Sequence, residues 1–244
     1  MNDPPEPPVP IPHLHWITML QAVFEIFLVS GVVSSFAAAF PFFRKLTAGG
    51  FPLNDVYLLC AYILLEAVIT LGLLLLIMRV HQERLADLGF RVDGQLVDLL
   101  LGLALVPVLF LLSATISTGF QRYLPTHFSS HNPLLEVIHT RGQLGLFMFS
   151  ALLAGGVKEE IQRAFILTRF RTYLGGAWLG LILWSVAFGA AHYIQGWQGM
   201  VAAGVFGLIF GAVYLIRGSL IAPMVAHGLY DSAVLLGYWV LRNV

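Results

Sequence analysis

Charged residues are scarce in this chain. They make up 11% of its 244 residues, whereas about 25% is usual in a soluble domain. The 13 basic and 13 acidic side chains cancel, so the composition provides no basic surface and we expect no nucleic-acid partner. The one cysteine, Cys60, cannot form a disulfide within the chain, and its apolar surroundings in the sequence indicate a buried, unreactive thiol.

Hydrophobic residues are abundant instead, at 58% of the chain. They are grouped into runs of roughly 20 residues, the length of helix that crosses the apolar core of a bilayer. We therefore predict an all-α fold, a polytopic transmembrane helical bundle of seven or eight helices. The predicted spans are about 16–43, 54–78, 97–118, 143–170, 176–196, 199–216 and 219–241.

The N-terminal segment differs from the rest of the chain because it is rich in proline. Five of its first ten residues are proline, and residues 1–15 contain no lysine or arginine. This composition is typical of an extended, disordered segment rather than of a cleaved signal peptide. We predict disorder over residues 1–15 and a single intramembrane protein domain over residues 16–244, with its functional motifs in 155–231.

A cluster of charges interrupts the fourth predicted span, in the stretch GGVKEEIQRAF at residues 155–165. A charge at the centre of a membrane helix costs roughly 2.5–3.5 kcal/mol, and six residues here hold four of them, Lys158, Glu159, Glu160 and Arg163. Arg163 follows Glu159 by four residues and Glu160 by three, so on a helix it can pair with either carboxylate. The carboxylate left free is suited to act as a general base. A purely structural ion-pair cluster is the alternative.

Histidines occur in two of the following spans, each with a partner one helical turn away. Phe188 and His192 are four residues apart, as are His227 and Asp231, so each pair lies on one face of its helix. A lone histidine inside a membrane is more often a hydrogen-bond partner between helices than a catalytic residue. Two histidines, an aspartate and two glutamates on three consecutive spans indicate helices packed face to face, where the polar groups satisfy one another.

These residue types favour hydrolysis by an activated water molecule. A glutamate can take a proton from water that a histidine helps to hold, while the second histidine and a carboxyl group stabilise the tetrahedral oxyanion. A thiol mechanism is not favoured, because Cys60 lies in a different span without a catalytic motif. The other acidic residues inside spans, Glu25 and Glu66, are interpreted as hydrogen-bond partners between helices or as side chains at the edge of a span that extend to the membrane surface.

The ordered motifs, EE followed by R, then FxxxH, then HxxxD, resemble the CAAX-processing and bacteriocin-processing (CPBP) family of intramembrane glutamic endopeptidases, which includes the CAAX prenyl protease 2 type. FGAAH at 188–192 and HGLYD at 227–231 are similar to the second and third family motifs, and LGFR at 88–91 is similar to a stretch of bacterial members. The first motif departs from the family's EExxxR, because two residues instead of three separate Glu160 from Arg163. The shorter spacing places the arginine about 100° further back around the helix. This departure leaves the roles of Glu159 and Glu160 open. Asp231 stands where asparagine is commoner.

The resemblance implies a membrane endopeptidase, a hydrolase that cleaves peptide bonds without a cofactor or a metal. By this likeness the catalytic residues are Glu159, Glu160, His192, His227 and Asp231, and the supporting residues are Arg163 and Phe188. One glutamate activates water together with His192, Arg163 orients the glutamates, and His227 and Asp231 face the oxyanion. The implied partners are the lipid bilayer and a peptide or protein substrate, which is lipidated in eukaryotic relatives that remove the last three residues of prenylated proteins. The expected location is a bacterial inner membrane or a plasma membrane.

Three other interpretations keep the same residues. In the first, His192, His227 and a glutamate bind zinc, although the sequence lacks the HExxH motif of many zinc proteases. In the second, the polar cluster only packs helices together in a non-catalytic scaffold or partner-binding protein. In the third, the carboxylates serve an ion or proton transporter, for which inverted repeats are typical but not recognisable in this sequence.

The depth of the candidate residues in the membrane sets a geometric condition. Counted from the loop near 171–175 at ~1.5 Å per residue, Glu159 lies roughly 20 Å deep and His192 roughly 27 Å deep. The two come level only if the helices tilt, or if the fourth span breaks at Gly155-Gly156.

Overall fold

A computed structural model describes residues 12–40, 55–90 and 94–242 of the chain. The regular structure of these residues is helical, and no strand occurs among them. The predicted all-α helical bundle is therefore confirmed. Most of the predicted disordered segment 1–15 lies outside the described residues. In chain order the longer helices are α1 (Pro12–Val29), α2 (Val32–Ala39), α3 (Val56–Val80), α4 (Gln95–Tyr123), α5 (Arg141–Ala151), α6 (Glu160–Tyr173), α7 (Ala177–Ala191), α8 (Gly196–Arg217) and α9 (Ile221–Arg242).

These helices follow the predicted hydrophobic spans. Helices α1 and α2 share the first span and meet at Gly31, whose φ of 94° lies in the left-handed region that favours glycine. Helices α5 and α6 share the fourth span. Within the described ranges, four stretches are long and apolar enough to cross a membrane, namely Thr18–Ala39, Val56–Val80, Gln95–Tyr123 and Tyr193–Arg217.

The fourth span is one continuous helical path with a wide turn in its middle. A π-helical segment, Leu152–Glu159, joins α5 to α6. Because its hydrogen bonds run between residues five apart, this segment holds more residues per turn than an α-helix and changes the direction in which the next side chains point. The wide turn takes the place of the break that was considered at Gly155-Gly156.

The two glycines of the π-helical segment allow helix α9 to lie directly against it. A Cβ atom on Gly155 would lie 2.6 Å from Oδ2 of Asp231, and one on Gly156 would lie 3.1 Å from Cα of Gly228. Both distances are shorter than ordinary van der Waals contact, so a larger residue would displace its neighbours in this close packing. The glycines thus let the HxxxD motif approach the EE motif.

Helix α6 occupies the centre of the bundle. Every residue from Glu160 to Leu167 is buried, and both Phe165 and Ile166 are 0% exposed. Hydrophobic side chains from the surrounding helices pack against it, among them Val29, Leu74, Leu181 and Tyr214. Since the charged motif begins this helix, its side chains must find their partners inside the protein.

Helices α7 and α8 pack closely through small residues. A Cβ atom on Gly189 would lie 3.1 Å from Cα of Gly204, and one on Gly207 would lie 3.2 Å from Oγ of Ser185. Small residues at such crossings let two helix backbones approach each other. The packing positions the C-terminal end of α7, where His192 follows the last helical residue.

Glu25 and Glu66 form hydrogen bonds between helices, the first of the two roles predicted for them. Glu25 on α1 accepts a hydrogen bond from Nε of Arg169 on α6 at 2.6 Å and lies 2.7 Å from Nε2 of His81, which follows α3. Glu66 on α3 accepts a hydrogen bond from Oγ of Ser34 on α2 at 2.8 Å. These contacts satisfy buried polar groups and connect elements that are distant in the chain.

Candidate active site

A cavity of about 970 Å³ opens among helices α2 to α9, and four of the five predicted catalytic residues line it. They are Glu159, from the π-helical segment, His192, which follows α7, and His227 and Asp231, both from α9. The three sequence motifs therefore meet at one cavity. Glu159 and His192 line the same cavity although counting residues along the chain placed them at different depths in the membrane.

Glu160 and Arg163 lie behind the wall of this cavity, each 1% exposed. The guanidinium of Arg163 contacts Oε1 of Glu160, three residues earlier on the same helix. Nδ1 of His227 lies 2.7 Å from the same carboxylate oxygen, which can only accept, so the imidazole donates this hydrogen bond. The shorter EExxR spacing thus joins the arginine to the second glutamate.

Two aromatic rings, those of Phe188 and Phe210, pack against the buried guanidinium of Arg163. Cζ of Arg163 lies 4.9 Å from the ring centroid of Phe188 and 5.6 Å from that of Phe210, distances at which a cation is attracted to the ring face. Phe210 also stacks on His227, with ring centroids 4.8 Å apart and an interplanar angle of 24°. Phe188 was predicted as a supporting residue, whereas Phe210 was missed by the sequence analysis.

The Glu159 carboxylate faces the cavity between a cation and an imidazole. Its Oε1 lies 3.7 Å from Nζ of Lys158, and its Oε2 lies 3.8 Å from Nε2 of His227. The Glu159 side chain is 19% exposed, compared with 1% for Glu160. Of the two adjacent glutamates, Glu159 is therefore the one that a molecule in the cavity can reach.

His192 lines the cavity at the end of α7 and is partly exposed. Its Nδ1 lies 2.7 Å from the backbone carbonyl oxygen of Phe188. A carbonyl oxygen only accepts, so Nδ1 carries the proton and Nε2 of the neutral ring keeps a lone pair. The ring of Phe188 packs against the imidazole with centroids 4.6 Å apart and limits its rotation.

Asp231 completes the wall on α9, one turn after His227. Its Oδ2 lies 3.6 Å from Nε2 of His227, and its side chain is 30% exposed. Nε2 of His227 therefore lies within 4 Å of both the Asp231 and the Glu159 carboxylate. The arrangement can hold a small polar molecule between two carboxylates and two imidazoles.

Two further charged residues of the wall were not assigned to the site by the sequence analysis. Nζ of Lys158 lies 2.9 Å from Oε2 of Glu66, and both residues line the cavity. Lys158 precedes the two glutamates, and it was recognised only as one of the charges of the stretch. No local signal linked Glu66 to it, because the two lie on different helices.

In the part of the chain that the structure describes, no three histidine, cysteine, aspartate or glutamate side chains are arranged to hold a metal ion. One nitrogen of each imidazole is already engaged, by Glu160 at His227 and by a backbone carbonyl at His192. The expectation of a metal-independent reaction stays a prediction, which a chelator experiment can test.

Comparison with known protein families identifies part of the chain. Residues 140–233 match the family described as "Type II CAAX prenyl endopeptidase Rce1-like". The matched segment extends from just before α5 into α9 and contains all three motifs. No curated protein and no solved structure matches the chain.

Proposed function

From the match of residues 140–233 to the Type II CAAX prenyl endopeptidase Rce1-like family, we propose that this protein hydrolyses peptide bonds with a water molecule activated by Glu159. The match of residues 140–233 and the four apolar stretches support an integral membrane protease of the CAAX protease type.

The different surroundings of the two glutamates carry this proposal. Glu159 lines the cavity together with His192, His227 and Asp231. Glu160 is buried behind the wall and is engaged by Arg163 and His227. A general base must be within reach of the proton that it takes, so the accessible glutamate is the better candidate.

In the proposed reaction, Glu159 removes a proton from a water molecule that also donates a hydrogen bond to Nε2 of His192. The resulting hydroxide attacks the carbonyl carbon of the peptide bond and forms a tetrahedral intermediate. The intermediate collapses when the C–N bond breaks, and the proton held by Glu159 passes to the departing amine. Glu159 thus acts first as base and then as acid, and the products are one carboxylate and one amine.

The proposed oxyanion partners are His227 and Asp231. In its doubly protonated form, His227 donates from Nδ1 to Glu160 and from Nε2 toward the cavity. Asp231 donates when it is protonated, or acts through a bridging water. Arg163, packed between Phe188 and Phe210, fixes Glu160, and Glu160 in turn fixes the ring of His227. Donors held in place before the reaction need not reorganise as the charge develops.

The proposed substrate is a peptide or protein segment that enters this cavity from the membrane region. Apolar side chains form a large part of the wall, among them Phe36, Leu59, Ile63, Leu134, Leu135 and Phe147. A lipidated peptide is an expectation from the family, and a peptide without lipid is the matched comparison in the experiment.

The proposal is tested with the purified protein in detergent and with fluorescence-quenched peptides, prepared with and without a prenyl group on a cysteine near the C-terminus. We expect cleavage that persists with a chelator, and incorporation of one oxygen from ¹⁸O-labelled water into the new carboxylate. Loss of cleavage with chelator and its return with zinc would support the zinc interpretation instead.

Two variants test the proposed role of His192 in the same assay. His192→Gln is expected to cleave far more slowly, because the amide oxygen of glutamine is a much weaker base than Nε2 of an imidazole and glutamine lacks the ring that packs against Phe188. Asp87→Asn is the matched control, since Asp87 is an exposed carboxylate that pairs with Arg84 away from the cavity. The proposal is abandoned if His192→Gln cleaves as fast as Asp87→Asn.

A further inference from the structure

Lys158 and Glu66 form an ion pair at the wall of the cavity. We propose that Lys158 is a positioning residue of the active site, anchored by Glu66, whose ammonium group holds the Glu159 carboxylate at the cavity wall. This inference rests on the proposed function of Glu159. It adds helix α3 to the elements on which the reaction depends.

Glu66 is a rigid anchor, because both of its oxygens are engaged. Its Oε2 lies 2.9 Å from Nζ of Lys158. Its Oε1 accepts hydrogen bonds from Ser34 at 2.8 Å and from Thr70 at 2.9 Å. The hydroxyl of Thr70 also lies 2.7 Å from that of Ser34, so α2 and α3 share this polar group. A carboxylate held in this way presents one fixed oxygen to the lysine.

Lys158 connects this anchor to the reacting carboxylate. It lies in the π-helical segment and is 6% exposed. Its Nζ is 3.7 Å from Oε1 of Glu159, the oxygen on the side away from His227. An ammonium group has three donors, so one can serve Glu66 while another points toward Glu159. The Glu159 carboxylate is thereby flanked on both sides.

A role limited to neutralising Glu66 does not account for this placement. Glu66 already receives hydrogen bonds from two hydroxyls, and a lysine anywhere along its open side would neutralise it. Lys158 instead precedes Glu159 in the chain and sits between the two carboxylates at the cavity wall. A preorganised cation beside a general base fixes its geometry without contact with the substrate, so the effect is expected in kcat rather than in KM.

The decisive variant removes both charges at once. Lys158→Met combined with Glu66→Gln leaves no unpaired buried charge between α3 and the π-helical segment, so the fold is retained. We expect kcat to fall about tenfold or more, as part of the roughly 10²–10⁴-fold that a positioned general base contributes. KM stays within about twofold of the unchanged protein, because the substrate contacts remain.

Three companion variants separate positioning from structure. Lys158→Gln with Glu66→Gln keeps an amide hydrogen bond between the helices and carries the same expectation, so the test does not depend on the folding of one variant. Lys158→Arg keeps a cation and is expected to retain most of kcat. Asp98→Asn with Arg217→Met removes another ion pair, 2.8 Å apart and away from the cavity, and is expected to leave kcat unchanged.

Cleavage rates are measured per folded molecule, with the thermal midpoint of each variant as the reference. The inference is overturned if either neutral pair keeps the kcat of the unchanged protein, or if the Asp98 and Arg217 pair lowers kcat equally. It is also overturned if Lys158→Arg cleaves as slowly as the neutral pairs. Failure of the proposed function has a different signature, in which Glu159→Gln itself keeps full activity.

Discussion

Glu159 and Glu160 are neighbours in the chain, yet their carboxylates lie in different surroundings. Glu160 contacts Arg163 and His227 in the protein interior, whereas Glu159 lies at the cavity wall. Successive residues of a helix point about 100° apart, so one carboxylate faces the cavity while the other points into the bundle. Two identical residue types can therefore serve different purposes, one in the chemistry and one in holding its neighbours.

Removing the charge of Glu160 is expected to destabilise the protein. Glu160→Gln leaves the buried guanidinium of Arg163 without its carboxylate, and breaking a buried pair costs about 3–5 kcal/mol. Chemical denaturation in detergent should show this decrease in the free energy of unfolding. The matched control is Glu136→Gln, whose side chain is 46% exposed beside His131, and which is expected to cost at most about 1 kcal/mol. Equal stability of the two variants would contradict the assigned role of Glu160.

The sequence predicts the candidate residues but not their pairing. Spacings of three and four residues both allow a contact on a helix, so the distance from Arg163 to each glutamate along the chain cannot select the partner. Phe210 could not be selected either, because it is one of 18 phenylalanines and nothing in its local sequence distinguishes it. Its contacts with Arg163 and His227 come from the packing of α8 against α6 and α9.

At the scale of elements, the π-helical segment Leu152–Glu159 is the feature that organises the site. Its residues Gly155 and Gly156 lie against helix α9, and its last residue, Glu159, lines the cavity. Such wide turns are frequent at functional sites. The segment ends where α6 begins, so the change of helix type falls between the two glutamates.

Gly156→Ala tests the importance of this close approach. Its Cβ would lie 3.1 Å from Cα of Gly228, a backbone atom that moves only with helix α9. Overpacking of this kind costs about 1–3 kcal/mol, and a displaced α9 carries His227 and Asp231 away from Glu159. We expect a lower thermal midpoint and a lower kcat, both measured in detergent.

Gly145→Ala is the matched control within helix α5. A Cβ atom there would have no neighbour within 4 Å, and replacing glycine by alanine inside a helix stabilises it by roughly 0.5–1 kcal/mol. This variant should keep full activity and an equal or higher thermal midpoint. If Gly156→Ala behaves like Gly145→Ala, the close approach is not required.

The positions of the helices follow from hydrophobic length, and the sequence predicts them well. The wide turn could not be predicted, because the apolar pattern of residues 143–170 fits a straight helix, a broken helix and a π-helical segment equally. The two adjacent glycines, Gly155 and Gly156, indicate an irregularity in the helix but do not distinguish a break from a π-helical segment. The choice between these forms depends on α9, which lies more than 60 residues later in the chain.

In the molecule as a whole, buried ion pairs and hydrogen bonds connect helices whose apolar surfaces would not associate specifically in lipid. Lipid chains are as apolar as the helix surfaces, so packing and hydrogen bonds determine which helices associate in a membrane. One tie joins Arg169 to Glu25 and to Glu83, at 2.6 Å and 2.7 Å. It connects α6 to α1 and to the segment after α3, away from the residues that line the cavity.

Arg169→Met tests whether this tie stabilises the bundle without taking part in catalysis. The change leaves the buried carboxylate of Glu25 without its cation, which should lower the free energy of unfolding by about 3–5 kcal/mol. Activity per folded molecule should stay unchanged. Arg84→Met is the control, because the Arg84 side chain is 80% exposed and its pairing with Asp87 is weak. Loss of catalysis in folded Arg169→Met protein would contradict the separation of the two clusters.

The proposed role of Glu159 in activating the water molecule is open to a single decisive measurement. It is the kcat of Glu159→Gln in the peptide cleavage assay, at equal amounts of folded protein. The substitution keeps the shape of the side chain and removes its ability to accept a proton, so we expect kcat to fall about 10²–10⁴-fold. The thermal midpoint should stay close to that of the unchanged protein. Cleavage by folded Glu159→Gln at the original rate would contradict the claim.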